Sequence, residues 1–146
     1  MATNVRRVSP AEARGLLDAG FAYVDVRSEG EFLEGHPSGA YNVPLLHTDP
    51  SGSRTPNPDF LAVMEASFPR DAPLVLGCRS GQRSMTAAGR LLEAGFTGIV
   101  EQRAGFDGVR DAFGSVVEKG WKAAGLPVSF AAEAGRSYGE LLRKGG

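Results

Sequence analysis

Apolar positions along the chain fall into short continuous runs, separated by stretches in which they recur every three to four residues. Phe21 to Val26, Leu74 to Leu76 and Gly98 to Glu101 are such runs, and their continuity predicts strands buried on both faces. Gly35 to Pro44 reads as a loop followed by a short strand. Ser9-Pro10-Ala11-Glu12 has the form of a capping box with proline at the first helical position, predicting a helix through Leu16 and Leu17 that stops at Gly20. Ser28 is placed to cap a short acidic helix holding Glu29, Glu31, Phe32 and Glu34 and closed by Gly35, its charges on a solvated face and Phe32 and Leu33 inward. Asn57 and Pro58 predict the start of a helix with the apolar stripe Phe60, Val63, Met64 and Phe68. Met85, Ala88, Leu91 and Leu92 predict another over 84–94, ended by Gly95. Phe106, Val109, Phe113, Val116 and Val117 share one face of a further helix, and Ser137-Tyr138-Gly139-Glu140 reads as a capping box opening a terminal helix with Leu141 and Leu142 inward. The segment 45–57, polar and rich in Pro, Gly and Ser, reads as an exposed loop. Strands alternating with helices imply an α/β fold, its mostly parallel central sheet flanked by helices on both faces.

Composition narrows this picture more than it adds to it. At 146 residues and 42% hydrophobic, the chain supports one α/β domain and is too short for two ordinary ones. A net charge of −1 gives no electrostatic case for nucleic acid or an anionic membrane as partner. No window approaches the length of a membrane span, and Met1 to Val8 contains neither an apolar signal core nor a transit-type stretch. A cytoplasmic protein is the default expectation, with an organelle open if a targeting segment has been removed. The polar faces suggest a monomer.

One cysteine cannot form an internal disulfide, and a free thiol suits a reducing compartment. Cys78 has no second thiol and the two histidines lack ligand spacing, so no metal and no other cofactor is implied. His36 is expected to be a structural hydrogen-bonding residue and His47 a surface loop residue. Cys78 itself ends the run Leu74 to Leu76, and residues 78–83 form a strand-to-helix turn. Backbone N–H groups in such a turn share a concavity, and with the helix dipole, Arg79 and Arg83 they favour a thiolate over a thiol. Gly81 supplies positive φ in the turn, and Ser84 is placed to cap the helix. Asp25-Val26-Arg27 closes another strand, and open α/β sheets place ligands at such strand ends.

Cys78-x-x-Gly81-x-Arg83-Ser84 resembles the active-site loop of rhodanese-type sulfurtransferases. Further family marks follow the expected order: Asp25-Val26-Arg27, Glu31-Phe32, the stretch from Gly35-His36-Pro37 to Asn42-Val43-Pro44, and Gly125-Leu126-Pro127. The resemblance, to single-domain proteins of the plant type, covers roughly Val8 to Val128. The segment 45–57 looks like an insertion seen in that group. A rhodanese-like domain over 1–128, with an extension over 129–146, is therefore expected to adopt the three-layer rhodanese-like fold. The resemblance implies that Cys78 carries sulfane sulfur as a persulfide, from thiosulfate or a related small anionic donor to cyanide or a thiol. It gives donor binding to the loop Arg79, Ser80, Gly81, Gln82 and Arg83, with Arg79 exposed and donor-facing. Arg83 is either a donor ligand or a brace paired with Asp25 or a loop carbonyl. Asp25, Arg27 and Ser84 support the loop. Arg103-Ala104-Gly105-Phe106 departs from the family's usual Gly-Gly pair and nearby Trp; Phe106 takes over part of that packing, and Trp121 lies in the core or at the rim. Cysteine phosphatases and arsenate reductases of related fold place five residues between Cys and Arg, whereas four separate Cys78 from Arg83, a smaller cradle that suits a sulfur atom. A non-enzymatic binding or persulfide-carrier module is the remaining alternative; retention of the cysteine and both arginines favours catalysis.

Overall fold

Strands that are apolar on both faces need cover from both sides, and the chain supplies it. The computed structural model describes residues 5–145; Met1 to Asn4, the start of the stretch inspected for targeting signals, and Gly146 lie outside the described residues. The elements run β1 (Arg6–Val8), α1 (Pro10–Asp18), β2 (Ala22–Asp25), α2 (Glu29–Leu33), β3 (His36–Pro37), β4 (Tyr41–Asn42), β5 (Leu46–Thr48), β6 (Arg54–Pro56), α3 (Phe60–Ser67) and β7 (Leu74–Gly77). They continue with α4 (Gln82–Glu93), β8 (Ile99–Gln102), β9 (Val109–Arg110), β10 (Val116–Glu118), β11 (Val128–Ser129) and α5 (Tyr138–Gly145). The main sheet has the order β1-β8-β7-β2-β4, every pairing parallel.

β7 lies at the centre, with Leu74, Val75 and Leu76 wholly buried. Leu74 and Leu76 join Val24, Phe60, Met64, Ala88 and Leu91 in one core, so α3 and α4 cover that face. Val75 joins Val8, Ala13, Tyr23, Phe32, Val100 and Trp121 in the other, so α1 and α2 lie opposite. The result is a three-layer α/β fold. Both predicted amino-terminal caps form as reciprocal boxes, Ser9 with Glu12 and Ser28 with Glu31. In α2 only Phe32 faces inward: Leu33, expected to do the same, is 61% exposed, because a five-residue helix turns its next position away from the sheet.

Two stretches differ from their predicted form. The expected helix through Phe106 and Val117 is instead the antiparallel pair β9–β10. Asp111 captures the N–H groups of Phe113 and Ser115 with its side chain, which holds a turn and takes two donors that a helix would use. The apolar spacing was misleading there, since Phe113 is 93% exposed and packs into nothing. The expected loop over 45–57 contains the hairpin β5–β6, closed by Asp49 accepting from Ser51 and Ser53. Asn57 is buried at its base, donating to the Pro44 carbonyl and the Tyr138 hydroxyl. Its side chain also accepts the Asp59 N–H, so it holds the turn leading into α3, whose cap position is Asp59.

Beyond residue 128 the chain stays on the body of the fold. β11 pairs with β3, and α5 lays Tyr138 and Leu141 into the core beside α3, with Leu142 partly covered. Ser137 accepts the Glu140 N–H at the start of that helix.

Candidate active site

The central strand β7 delivers Cys78 to a turn that the neighbouring strands frame. Gly81 takes φ +98° at the cap position of α4, and a Cβ there would lie 2.4 Å from the Arg103 carbonyl oxygen. Only glycine fits both the left-handed backbone and the close approach. The Gly81 N–H points back at Cys78 Sγ, 3.2 Å away.

Ser84 does not cap α4. The helix starts at Gln82, so Ser84 sits inside the first turn and its buried hydroxyl faces the sulfur at 3.3 Å. That hydroxyl donates to Glu101 Oε2 at 2.5 Å, and Glu101, fully buried on β8, accepts Arg7 Nε at 2.6 Å. A hydroxyl has one proton. With it committed to Glu101, the Cys78 thiol donates to Ser84. Tyr23 also lies close, and burial, with Asp25 adding, pushes its hydroxyl up so that it stays neutral.

Both motif arginines are matched by carboxylates. Arg83 is buried and bidentate to Glu31, at 2.7 and 3.0 Å. Burial alone would raise the Glu31 carboxyl, but the hydrogen bonds and charge of Arg83, aided by Ser28, hold it down at about 2. The expected pairing of Arg83 with Asp25 or a loop carbonyl is thus replaced by Glu31, which the residue pattern had placed on a solvated face. The reason is the capping box: it turns Glu31 back over Ser28, toward the cysteine turn. Asp25 is occupied by Arg27, at 2.7 Å, and Arg27 also donates to the Gly35 carbonyl and lies 4.5 Å over the Phe106 ring. Asp25 stands beside Gly77 in the register, so this buried pair sits next to the residue before Cys78. Arg79 is exposed and donates to Asp107 at 2.8 Å.

The opposite wall is built by 103–106. Phe106 N–H donates to the Cys78 carbonyl at 2.8 Å and Asp107 N–H to the Arg79 carbonyl at 3.0 Å. Gly105 takes φ +66°, and a Cβ there would lie 2.4 Å from the Arg79 carbonyl oxygen, whereas Ala104, also buried, avoids the left-handed region. One glycine of the usual pair therefore meets the steric demand. Trp121 is fully buried and donates to the Pro127 carbonyl at 2.7 Å, edge-on to Tyr23. His36 is buried, stacked on Phe32, with Nδ1 2.7 Å from the Phe32 carbonyl oxygen.

These elements leave a cavity of about 230 Å³ over the sulfur, lined by Arg54, Cys78, Arg79, Ser80, Gln82 and Arg83. It adjoins a cleft of about 370 Å³ that includes Glu29, Glu34, His47, Arg54 and Arg79. Sequence reading assigned no role at this site to Arg7, Arg54 or Glu101. Glu101 left one signal, a carboxylate inside a buried-strand run; Arg54 left none, because its place depends on the hairpin.

The family model for the rhodanese-like domain matches residues 9–112. The chain belongs to the rhodanese-like domain family. Among rhodanese-like relatives, it is 43% identical over 99 residues to thiosulfate sulfurtransferase 16, chloroplastic, of Arabidopsis thaliana, an alignment covering 68% of this chain and 82% of that one. It is 43% identical over 94 residues to the senescence-associated protein DIN1 of Raphanus sativus, covering 64% of this chain but only 51% of that protein, so it spans about half the length of that relative. The crystal structure of Rv0390 from M. tuberculosis matches with a TM-score of 0.73 at 33% identity, covering 88% of this chain and 100% of the other. The rhodanese-like fold expected from the residues is thereby shown, as is the likeness to plant proteins. Among the described residues no helix is long and apolar enough to cross a membrane.

Proposed function

We propose that this chain is a sulfurtransferase that moves sulfane sulfur from thiosulfate, or a related anionic donor, to cyanide or a thiol through a persulfide on Cys78. The observation that carries the proposal is the setting of Sγ: a buried sulfur with the Gly81 N–H aimed at it and a hydrogen-bonded chain through Ser84 to Glu101 behind it, opening on a small cavity. The Cys78 thiolate attacks the outer sulfur of thiosulfate. A new S–S bond forms while the bond to the sulfonate sulfur breaks, and its electron pair leaves with sulfite. The acceptor then attacks the outer persulfide sulfur, and the Cys78 thiolate departs with the electron pair of the S–S bond. The Gly81 N–H, aimed at the sulfur, stabilises the charge that the persulfide carries. Relatives named as thiosulfate sulfurtransferases support this choice. A cytoplasmic or organellar monomer, needing no cofactor, is part of the same proposal.

Intact-protein mass after incubation with thiosulfate tests it, for the parent protein and Cys78→Ser, beside an aryl phosphate hydrolysis assay. A gain of one sulfur atom in the parent alone, reversed by cyanide, is expected. Phosphate hydrolysis without sulfur gain would replace this reading with a phosphatase. Neither result would leave a binding or carrier module.

A further inference from the structure

We infer that Arg54, on the β5–β6 hairpin, is the specificity residue that recruits the anionic sulfur donor to Cys78; the inference rests on the sulfurtransferase reading. Charge balance around the cavity singles it out. Three arginines line the space over the sulfur. Arg83 spends its charge and two donors on Glu31, and Arg79 faces Asp107. Arg54 alone of the three has no carboxylate within salt-bridge distance among the described residues. A guanidinium already facing a carboxylate attracts a second anion less strongly, whereas Arg54 offers its charge and its planar fork of donors without such a neighbour.

The hairpin holds this residue in place. Thr48 pairs with Arg54 and Leu46 with Pro56, and the buried Asn57 ties the base through its N–H to the Leu45 carbonyl and its amide to Pro44. Arg54 also lines the outer cleft, but there Glu29, Glu31 and Glu34 oppose an anion, whereas no carboxylate among the described residues lines the cavity over Cys78. Such a site suits a small compact dianion of the thiosulfate type, not a long polyanion.

Alkylation of Cys78 by iodoacetate and by iodoacetamide provides the test, since the two reagents have nearly the same size and differ by one charge. The ratio of their rates cancels any change in the thiolate population. At low ionic strength Arg54→Ala should lower the iodoacetate-to-iodoacetamide ratio about three- to fivefold, as expected for one partly solvated charge. Arg54→Lys should keep most of the ratio, and Asp107→Asn, which releases Arg79, should raise it. High salt should abolish the difference between parent and Arg54→Ala; a difference that persists would mean a reshaped cavity and overturn the inference. A parent-like ratio in Arg54→Ala, or a ratio unmoved by Asp107→Asn, would overturn it equally. In turnover, Arg54→Ala should raise KM for thiosulfate by a similar factor. Alkylation needs only the thiol, so a parent protein that takes up no sulfur would defeat the sulfurtransferase reading while the ratio still reports on Arg54.

Discussion

Replacing Glu31 by Gln isolates the charge that fixes Arg83. Glutamine keeps the side-chain length and can still complete the capping box with Ser28, while Arg83 stays buried and loses its counter-charge. In the folded protein the Glu31 carboxyl lies at about 2 against an ordinary 4.5, a displacement worth about 3 kcal/mol as an upper bound. Glu31 is 22% exposed, and solvent screening together with the hydrogen bond that Gln retains brings the expected loss to about 1–2 kcal/mol. Because the folded carboxyl is held down, its contribution is complete above the unfolded value of 4.5 and fades as pH falls toward 2. Urea unfolding followed by the fluorescence of the buried Trp121, at neutral pH and in steps down the acid range, measures this. The gap between parent and variant should be full at pH 7 and above pH 5, then narrow steadily below that. A gap of constant size across the whole range would assign the loss to shape and refute the electrostatic account; no gap at neutral pH would show the pair to be as weak as an ordinary surface ion pair.

Glu101→Gln removes a buried negative charge linked through Ser84 to the sulfur and frees Arg7, so iodoacetamide should alkylate Cys78 about three- to tenfold faster at pH 6; a slower or unchanged rate would contradict this charge repulsion. Gly105→Ala combines a left-handed backbone with a Cβ 2.4 Å from the Arg79 carbonyl oxygen, and thermal unfolding should show a loss of about 2 kcal/mol or more. Leu141→Ala should cost about 2–5 kcal/mol in the same assay, because Leu141 is 3% exposed against the core; a loss under about 0.5 kcal/mol, typical of a surface site, would show that α5 adds little to the fold.

Features whose cause lies within a few residues could be read from the chain alone. The capping boxes of α1 and α2 are local, as is the strand-to-helix turn that carries Cys78, with its glycine at positive φ. Long apolar runs likewise declared the central strands, since a run with no polar alternation has to be covered on both faces. The region 106–117 shows where such reading fails. Spacing alone suggested a helix, but Asp111 and the turn it stabilises decided for a hairpin.

What only the tertiary structure decided is which charges meet. Glu31 reaches Arg83 across 52 positions and Arg7 reaches Glu101 across 94. No local pattern encodes such pairs; the first depends on how α2 packs beside the cysteine turn, and the second on the sheet order that sets β1 against β8 and β8 against β7. The chain by itself therefore determined the turn that presents Cys78 and the family. Folding decided that its two motif arginines meet carboxylates and that a third, from a hairpin with no signal of its own, lines the cavity over the sulfur with no carboxylate within salt-bridge distance among the described residues. Backbone form answers to neighbours in sequence, while electrostatics answers to distance in space.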